Sequence, residues 1–397
     1  MITEIEIEGF KSFGSPPEKI RLGPLNFLVG ANASGKSNLL SALEFLKLAV
    51  THDVNYAVNE LGGAFNLINR TGLSPNRQLR LRIAAESIKE TIKYFEYEFT
   101  LDFDNKENAP IIVNEQLRTK TNSDNKEEKF EFIRNKTEFT ITESSLSDFW
   151  PKGKIYLLPE NDKARLLVSG VGIRLLSSIR FLIEQWRFFD ISPNIARHPM
   201  PSSTSNLHLG KEGQYLADIL HECSETMPKD SFGFGGADRF LQGFIPGFDR
   251  LGELYLSEAD SRSFELIEDN LTGTIRQYAA ADGVIRLLAL FAIAEWVAKK
   301  GSLIMIEEPE NGLHPYLAEH IVQLFREASE DLGAQFLITT HNPNFMNYLN
   351  PEEIILFAKN EGLTKTKRAS SVEDIEISLK YFSLGELWEQ GALGGIP

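Results

Sequence analysis

The sequence GANASGKS at residues 30–37 constrains this chain more than any other feature. It matches the pattern G-x-x-x-x-G-K-[ST] in full, follows an apolar run at residues 25–29 and leads into an apolar helical pattern near Lys36. A buried parallel strand that runs through a glycine-rich turn into a helix is the context that this pattern requires. An ordinary glycine-rich turn is the alternative, and the complete octet between strand and helix disfavours it.

The residue types in this loop suit a bound triphosphate. Gly30 and Gly35 let the backbone turn tightly so that successive N–H groups point inward, and the following helix adds the positive end of its dipole. We expect Lys36 to contact the β- and γ-phosphates of ATP and Ser37 to bind Mg²⁺. The predicted nucleotide contacts are Gly30, Ala31, Asn32, Ala33, Ser34, Gly35, Lys36, Ser37 and Asn38.

Composition narrows the class of protein. The chain has 397 residues, enough for one large composite domain or two smaller ones, with ample apolar content for a core. Its one cysteine, Cys223, excludes a disulfide framework and a cysteine-based zinc cluster. Because no charged-then-apolar leader and no apolar run of about 20 residues stands in the sequence, we expect a cytoplasmic protein without membrane contact.

The charge balance argues against a broad surface for nucleic acid. The formal net charge is −15, whereas such a surface needs an excess of lysine and arginine. A local basic cluster could still contact phosphates, although a solvated face is the favoured alternative. The cluster consists of Lys152, Lys154, Lys163 and Arg165.

Hydrophobic patterns divide the chain into segments of different type. Alternating apolar and charged residues at 2–8 predict a half-buried strand, and a later set of alternating runs predicts an antiparallel β layer with a solvent-facing hairpin tip at residues 124–129. From about residue 161 the spacing becomes helical, and a proline- and serine-rich connector follows at residues 191–210. The predicted strands of the β layer are residues 79–85, 94–103, 111–118, 130–133 and 139–141.

An acidic motif and a histidine follow two further apolar strands. The run LIMIEEPE ends its strand with Glu307 and Glu308, and NGLHP follows. Pro315 suits the start of a helix because its missing N–H costs nothing there. The run AQFLITT is a second buried strand that ends at His341. Two surface glutamates after a strand are the alternative, which the phosphate loop upstream disfavours.

In this order the motifs resemble those of ABC-type ATPases, in the branch of RecF, SMC and overcoming-lysogenization proteins often grouped as AAA-type fifteen or twenty-one. The opening IEGFKSF, the phosphate loop and the acidic motif carry the likeness, which spans almost the whole chain. The resemblance implies an α/β P-loop NTPase with a mostly parallel core sheet, an antiparallel β layer and a helical lobe. We expect a phosphate-loop lobe with its β subdomain at residues 1–158, a helical insertion at 159–278 and the rest of the core at 279–397.

The resemblance also implies a role for each matching residue. Glu307 would bind the Mg²⁺ shell, and Glu308 would orient and deprotonate the attacking water. His341 would be the switch histidine that senses the γ-phosphate, and Asn311 would meet the nucleotide from a turn that contacts the opposite subunit. Phe10, Lys11 and Phe13 would help to seat the base, with simple packing as the alternative.

A signature that clamps the nucleotide of the other subunit is also expected, at the start of the helix after Ala281. The small residues Ala281, Asp282 and Gly283 match its position, although the string LSGGQ is absent. An acidic side chain is unfavourable near a phosphate unless it caps the helix. We therefore interpret Asp282 as the N-cap.

The implied function is an ATP-binding and ATP-hydrolysing switch. Members of the branch bind ATP at a head-to-tail dimer interface and serve DNA repair, chromosome organisation or anti-phage defence, commonly with a partner nuclease or toxin. We expect a homodimer or higher homo-oligomer that forms with ATP, an effector protein as partner and DNA as a second candidate. Too few residues follow His341 for a Toprim nuclease, and no sustained heptads predict an SMC arm. The alternative is a scaffold that holds ATP with negligible turnover.

Overall fold

The structure is a computed structural model, and its described residues fall into several ranges. These ranges are residues 1–71, 77–86, 92–104, 109–123, 126–144, 152–158, 165–170, 174–201, 208–226, 234–256, 261–269, 271–298 and 301–394. Parts of three predictions lie outside these ranges. They are Lys163 of the basic cluster, residues 124–125 of the hairpin tip and residues 202–207 of the connector.

The described chain divides into two compact units. Unit 1 contains Met1–Trp186, Gly301–Leu303 and Asn350–Pro397, and unit 2 contains Arg187–Lys300 and Ile304–Leu349. The lobe boundaries expected at residues 158 and 278 stay predictions.

The strands of the structure include all the strands that the sequence patterns predicted. Their bounds are β1 (Ile2–Glu8), β2 (Glu18–Arg21), β3 (Leu25–Gly30), β4 (Leu79–Glu86), β5 (Ile92–Phe103), β6 (Pro110–Ser123), β7 (Lys126–Asn135), β8 (Glu138–Ser144), β9 (Ile155–Leu157), β10 (Arg187–Phe189), β11 (Phe248–Leu256), β12 (Ser261–Glu268), β13 (Ile275–Arg276), β14 (Leu303–Glu307), β15 (Gln335–Thr340), β16 (Ile354–Asn360) and β17 (Leu363–Arg368).

The helices are mostly short outside the segments that follow β3 and the acidic motif. Their bounds are α1 (Lys36–Thr51), α2 (Val54–Glu60), α3 (Ala64–Leu67), α4 (Leu167–Gly170), α5 (Arg174–Glu184), α6 (Pro193–Ala196), α7 (Leu216–Thr226), α8 (Phe234–Gln242), α9 (Asp282–Ala292), α10 (Ala318–Leu332), α11 (Pro343–Met346), α12 (Ile375–Ser378) and α13 (Leu384–Glu389).

An antiparallel sheet of unit 1 has the strand order β2-β1-β4-β5-β6-β7-β8-β9. The alternation in β1 places Ile5 and Ile7 in the core and turns Glu4 and Glu6 to the other face. On that face the Arg82 guanidinium lies 2.7 Å from Glu4 and 2.8 Å from Glu6. The predicted β layer is therefore present, and one of its faces is an ion-pair ladder while the other is apolar.

Glu115, on β6 of this sheet, is fully buried with the Arg134 side chain of β7. Arg134 Nη1 lies 3.3 Å from the Glu115 carboxylate, which also accepts hydrogen bonds from the Tyr97 hydroxyl at 2.9 Å and from the Leu167 N–H at 3.0 Å. Burial raises the pKa of the Glu115 carboxyl, and the Arg134 charge opposes that rise. Because Leu167 begins α4, this carboxylate ties the β layer to the start of the α4–α5 segment.

The remaining strands of unit 1 form the surroundings of the phosphate loop. Strand β3 is buried at every position and pairs in parallel with β16, which forms an antiparallel hairpin with β17. Helix α1 contacts α5, and the Lys47 ammonium donates a hydrogen bond to the Trp186 carbonyl at 2.7 Å. The hairpin of β16 and β17 therefore supports the strand that enters the loop, and α5 contacts the helix that leaves it.

Unit 2 contains a parallel pair and a small antiparallel sheet. Strand β10 pairs in parallel with β14, β15 lies next to β14 in the sheet order, and β11, β12 and β13 form the antiparallel sheet. The interior positions of β14 and β15 are buried, as expected for apolar parallel strands between helices. The C-terminal ends of β14 and β15 therefore lie side by side and carry the acidic motif and His341.

The basic cluster makes local contacts in the described residues. The Lys152 ammonium lies 3.0 Å from the Glu143 carboxylate, and the Lys154 ammonium lies 5.4 Å from the centre of the Tyr156 ring. These contacts favour the solvated-face alternative over a phosphate-binding patch. In the described ranges, none of the helices combines the length and apolarity that crossing a lipid bilayer would require.

Candidate functional site

The predicted phosphate loop connects β3 to α1 with two residues in the left-handed region. Gly35 has φ 113° and is the N-cap of α1, without a side-chain cap, and Ala33 has φ 62°. A helix N-terminus that lacks a side-chain cap leaves its first N–H groups to another acceptor, and a phosphate oxygen is suited to that role. The backbone therefore has the form that the sequence pattern predicted.

Neighbouring atoms explain why both glycines are required. A Cβ on Gly30 would lie 2.4 Å from the Phe357 carbonyl oxygen, and one on Gly35 would lie 2.1 Å from Thr364 Oγ1. Real Cβ atoms do not approach other atoms this closely. The loop is thus packed directly against the hairpin of β16 and β17, with no room for a larger residue at either position.

The polar groups of the loop fit a triphosphate. The buried Lys36 ammonium donates hydrogen bonds to the carbonyls of Gly30 at 2.5 Å and Ala31 at 2.9 Å, so its charge lies over the loop. The Ser34 hydroxyl is buried and has no hydrogen-bond partner among the residues that the structure describes. A cation and an unused hydroxyl in one glycine-rich turn are the donors that a phosphate group needs.

Two residues that support the loop, Ser12 and Thr364, were given no role by the sequence analysis. The Thr364 hydroxyl donates a hydrogen bond to the Ser34 carbonyl at 2.8 Å and lies 2.6 Å from Ser12 Oγ. The Asn38 amide in turn donates to Ser12 Oγ at 2.6 Å. Ser12 lies in the opening IEGFKSF and Thr364 lies in no motif, and only the fold brings their hydroxyls to the loop.

The opening loop packs beside α1. Phe10 and Phe13 are fully buried, and the Lys11 ammonium donates a hydrogen bond to the Ser41 hydroxyl at 2.7 Å. Rings without exposed surface cannot stack on a nucleotide base. For Phe10 and Phe13 the packing alternative therefore holds, and a role for them in seating the base is not supported.

The acidic motif lies at the C-terminal end of β14 in unit 2. Glu307 is the last residue of that strand, and Glu308 follows it with φ 41°, an uncommon conformation for a residue with a side chain. The Glu308 N–H donates to both the carbonyl and the hydroxyl of Thr339, each at 3.1 Å. Strand β15 thus holds the backbone of Glu308 in this turn.

The Glu308 carboxylate is fixed by two predicted site residues. The Asn311 amide donates to one carboxylate oxygen at 2.8 Å, and His341 Nδ1 lies 3.1 Å from the other. An ionised carboxylate only accepts hydrogen bonds, so this contact requires a proton on His341 Nδ1 and does not involve Nε2. The structure therefore brings Glu308, Asn311 and His341 together, as their order along the chain suggested.

Glu310 is a further acidic residue to which the sequence analysis gave no role. Its side chain is buried, it accepts a hydrogen bond from the Thr340 hydroxyl, and its second oxygen has no hydrogen-bond partner within the described ranges. The Thr340 oxygen accepts a bond from the Asn342 N–H at 3.1 Å, next to His341. Burial raises the pKa of the Glu310 carboxyl. The EEPE string signals this residue, but its burial is not visible in the sequence.

The interpretation of Asp282 as an N-cap is wrong. The N-cap of α9 is Ala281, which makes no side-chain cap hydrogen bond, and the Asp282 carboxylate pairs instead with the Arg197 guanidinium. A nearby cation outcompetes the backbone N–H groups because an ion pair carries a full opposite charge. The predicted signature turn is exposed, and a Cβ on Gly283 would lie 3.5 Å from the Leu313 side chain. The turns at residues 281–283 and 311–314 therefore lie side by side.

The predicted metal ligands are suited to Mg²⁺ in their chemistry. Ser37 offers a hydroxyl in the first turn of α1, and Glu307 offers a half-buried carboxylate at the end of β14. Mg²⁺ prefers such hard oxygen ligands and usually takes its other ligands from phosphates and water. Each of these two side chains is therefore of a type that Mg²⁺ uses when it is bound together with a nucleotide.

Comparisons with solved structures give the fold. One similar structure is the SMC head bound to the C-winged helix domain of ScpA, with TM-score 0.53, 16% identity, and coverage of 92% of this chain and 97% of that chain. Another is the Smc head domain with an extended coiled coil bound to the C-terminal domain of ScpA, derived from Pyrococcus furiosus, with TM-score 0.50, 14% identity, and coverage of 96% and 99%. The predicted fold class, an α/β ABC-type ATPase head, is confirmed.

Comparisons with sequences give the family. None of the curated proteins matches the chain significantly. A family model matches residues 25–347, which include the phosphate loop, the acidic motif and His341, and its description is "AAA domain, putative AbiEii toxin, Type IV TA system". The chain therefore belongs to this AAA-domain ATPase family.

Proposed function

We propose that this protein binds ATP through the phosphate loop and hydrolyses it with Glu308 as the general base. The observation that carries the proposal is the Glu308 carboxylate, which Asn311 and His341 hold from both sides at 2.8 Å and 3.1 Å. A general base must be held within reach of the water whose proton it accepts.

The other site residues bind the phosphates, hold the metal ion and support Glu308. The Lys36 ammonium exchanges its bonds to the Gly30 and Ala31 carbonyls for bonds to phosphate oxygens, and the Ser34 hydroxyl gains the partner that it lacks. Ser37 and Glu307 would hold Mg²⁺, which would supply positive charge to the phosphate oxygens. His341 holds one oxygen of Glu308 through Nδ1, which leaves Nε2 to donate or accept a hydrogen bond according to its protonation.

We also propose that ATP promotes self-association. In unit 2 the turn at residues 281–283 and the turn at residues 311–314 are exposed and contact each other through Gly283 and Leu313. The two turns therefore form one continuous surface of small and polar residues at a helix N-terminus, which suits contact with a nucleotide held by a second copy. Asp282 does not oppose an anion here because Arg197 pairs with it.

A partner protein is part of the proposal. The SMC heads that share this fold are bound to domains of ScpA, and the family description names a type IV toxin–antitoxin system. These findings support an ATP-dependent switch that controls an effector protein, such as a nuclease or a toxin, in anti-phage defence or DNA repair. DNA stays a second candidate partner, and the net charge of −15 favours a protein partner over it.

The test compares Glu308→Gln with Lys36→Ala in the full chain. ATP binding is measured by calorimetry, hydrolysis by phosphate release, and association by sedimentation with MgATP. Glu308→Gln should bind ATP, lose a factor of about 10² to 10⁴ in turnover and accumulate the associated form. Lys36→Ala should lose ATP binding, because it removes the cation that lies over the loop.

A matched control is Glu319→Gln, which removes an exposed carboxylate in the first turn of α10 and should leave all three measurements unchanged. Near-normal turnover of Glu308→Gln would refute the assignment of the base. Negligible turnover of the unmodified protein, with intact ATP binding, would favour the scaffold.

A further inference from the structure

A chain of hydrogen bonds with a fixed direction reaches the phosphate loop. A threonine hydroxyl has one proton, and Thr364 donates its proton to the Ser34 carbonyl at 2.8 Å. The 2.6 Å contact between Thr364 Oγ1 and Ser12 Oγ must then use the proton of Ser12. Ser12 in turn accepts the bond that Asn38 donates at 2.6 Å, so the chain runs from Asn38 through Ser12 and Thr364 to Ser34.

This chain fixes the orientation of one peptide group in the loop. The carbonyl of Ser34 and the N–H of Gly35 belong to the same planar trans peptide, so they point in opposite directions. When Thr364 holds the carbonyl on its side, the Gly35 N–H must point to the other side. Ser12, Ser34 and Thr364 are all buried, at 8%, 4% and 1% exposure, so water does not easily replace a lost bond.

The support comes from outside the segment that matches the family. The family match covers residues 25–347, whereas Ser12 precedes it and Thr364 follows it. The strand that carries Thr364 is itself anchored in unit 1, because the Thr366 hydroxyl and N–H both donate to the Glu18 carboxylate at 2.7 Å. The Thr364 N–H also donates to the Ser12 carbonyl at 2.8 Å. The position of the Thr364 hydroxyl is therefore set by several independent contacts.

We propose that the Thr364 hydroxyl is a positioning group that presets the phosphate loop for a triphosphate, so that the hairpin of β16 and β17 sets nucleotide affinity. The proposal rests on ATP binding by the loop, as proposed above. Without the hydroxyl, the peptide between Ser34 and Gly35 can rotate, and nucleotide binding must order it again. Preorganisation of this kind acts on affinity and leaves Glu308, the proposed base, untouched.

The experiment uses the full chain with three variants. Thr364→Val replaces the hydroxyl by a methyl group of similar size, Thr364→Ser keeps a hydroxyl, and Thr366→Val removes the neighbouring hydroxyl on the same face of β17 as a matched control. Calorimetry gives MgATP affinity, steady-state hydrolysis separates KM from kcat, and hydrogen–deuterium exchange without nucleotide follows the peptide that covers residues 30–38.

Thr364→Val should bind MgATP about tenfold more weakly, with a raised KM and a kcat close to that of the unmodified protein. Its loop peptide should exchange about tenfold faster in the absence of nucleotide. Thr364→Ser should restore both values. Thr366→Val should change neither, because the Thr366 N–H keeps its bond to the Glu18 carboxylate at 2.7 Å and so still anchors the strand.

Two outcomes would overturn the proposal: unchanged loop exchange in Thr364→Val, or an equal acceleration in Thr366→Val, which would mean that any loosening of the hairpin has the same effect. If the unmodified protein does not bind ATP, the proposed function fails, and the exchange measurement still decides the role of Thr364.

Discussion

Substitution of Glu115 by glutamine should destabilise unit 1 strongly. The Glu115 carboxylate is fully buried, and its oxygens accept hydrogen bonds from Arg134, Tyr97, Leu167 and Val168. A glutamine keeps one acceptor oxygen and replaces the other by an NH₂ group. This NH₂ group is a donor, and it then faces two of the groups that donate to the carboxylate. The less unfavourable amide orientation turns its oxygen to Arg134 and Leu167, because the Tyr97 hydroxyl can rotate to accept a bond from the NH₂ group.

The magnitude follows from the charge that remains. The Arg134 side chain is 1% exposed, and besides the amide oxygen its guanidinium donates to the carbonyls of Lys136 and Arg165, each at 2.7 Å. Removal of one partner from a buried ion pair costs about 3–5 kcal/mol. For a body of about 150–250 residues, each kcal/mol lowers Tm by about 2–4 °C, so we expect a loss of roughly 6–20 °C.

The assay is thermal unfolding of the full chain followed by circular dichroism, with Glu131→Gln as the matched control. Glu131 pairs with Arg118 in the same sheet at 2.5 Å, but Arg118 is half exposed, so the loss should be below about 1 kcal/mol. Equal shifts of Tm for the two variants would refute the reasoning. Glu115→Gln should also weaken nucleotide binding, because Glu115 holds the start of α4 and α4 contacts α1.

Two further predictions concern strained or buried groups of the site. Burial raises the pKa of the Glu310 carboxyl above its ordinary value of 4.5. The native state therefore binds this proton more tightly than the unfolded chain does. As a consequence, the stability of the native state falls as pH rises through the raised pKa. Glu310→Gln should remove this decline, and the difference in Tm between Glu310→Gln and the unmodified protein should grow from pH 4.5 to pH 8. Ala33 has φ 62°, so Ala33→Gly should keep nucleotide binding and Ala33→Val should weaken it by calorimetry, because a β-branched side chain disfavours the left-handed region most.

The sequence predicted those parts of the molecule whose residues are close along the chain. The alternation of β1 and of the β layer is a local pattern, and so is the loop at residues 30–37. The order of strands is not local: β1 lies between β2 and β4 in the sheet, and nothing in its residues specifies those neighbours. Glu308 and His341 lie at the ends of separate strands, and only the resemblance to ABC-type ATPases predicted that both belong to one site, where they lie 3.1 Å apart.

The parts that escaped prediction depend on contacts between distant residues. Thr364 matches no pattern, and the opening IEGFKSF that contains Ser12 does not indicate its partner, yet the two hydroxyls lie 2.6 Å apart. Asp282 obeys a local rule that favours aspartate at the start of a helix, and Arg197 overrides that rule from another segment. The family resemblance suggested that Phe10 helps to seat the base, whereas the fold buries its ring completely.

The conformation of Glu308 bears on the choice between a hydrolysing switch and an ATP-holding scaffold. A non-glycine residue in the left-handed region costs about 1–2 kcal/mol, and Thr339 holds the Glu308 backbone there with its carbonyl and its hydroxyl. Asn311 and His341 then fix the carboxylate itself. A scaffold needs the phosphate loop to hold ATP, but it gains nothing from a strained and doubly supported carboxylate in another part of the chain. The combination of strain and support is what a positioned general base requires, and it therefore favours hydrolysis.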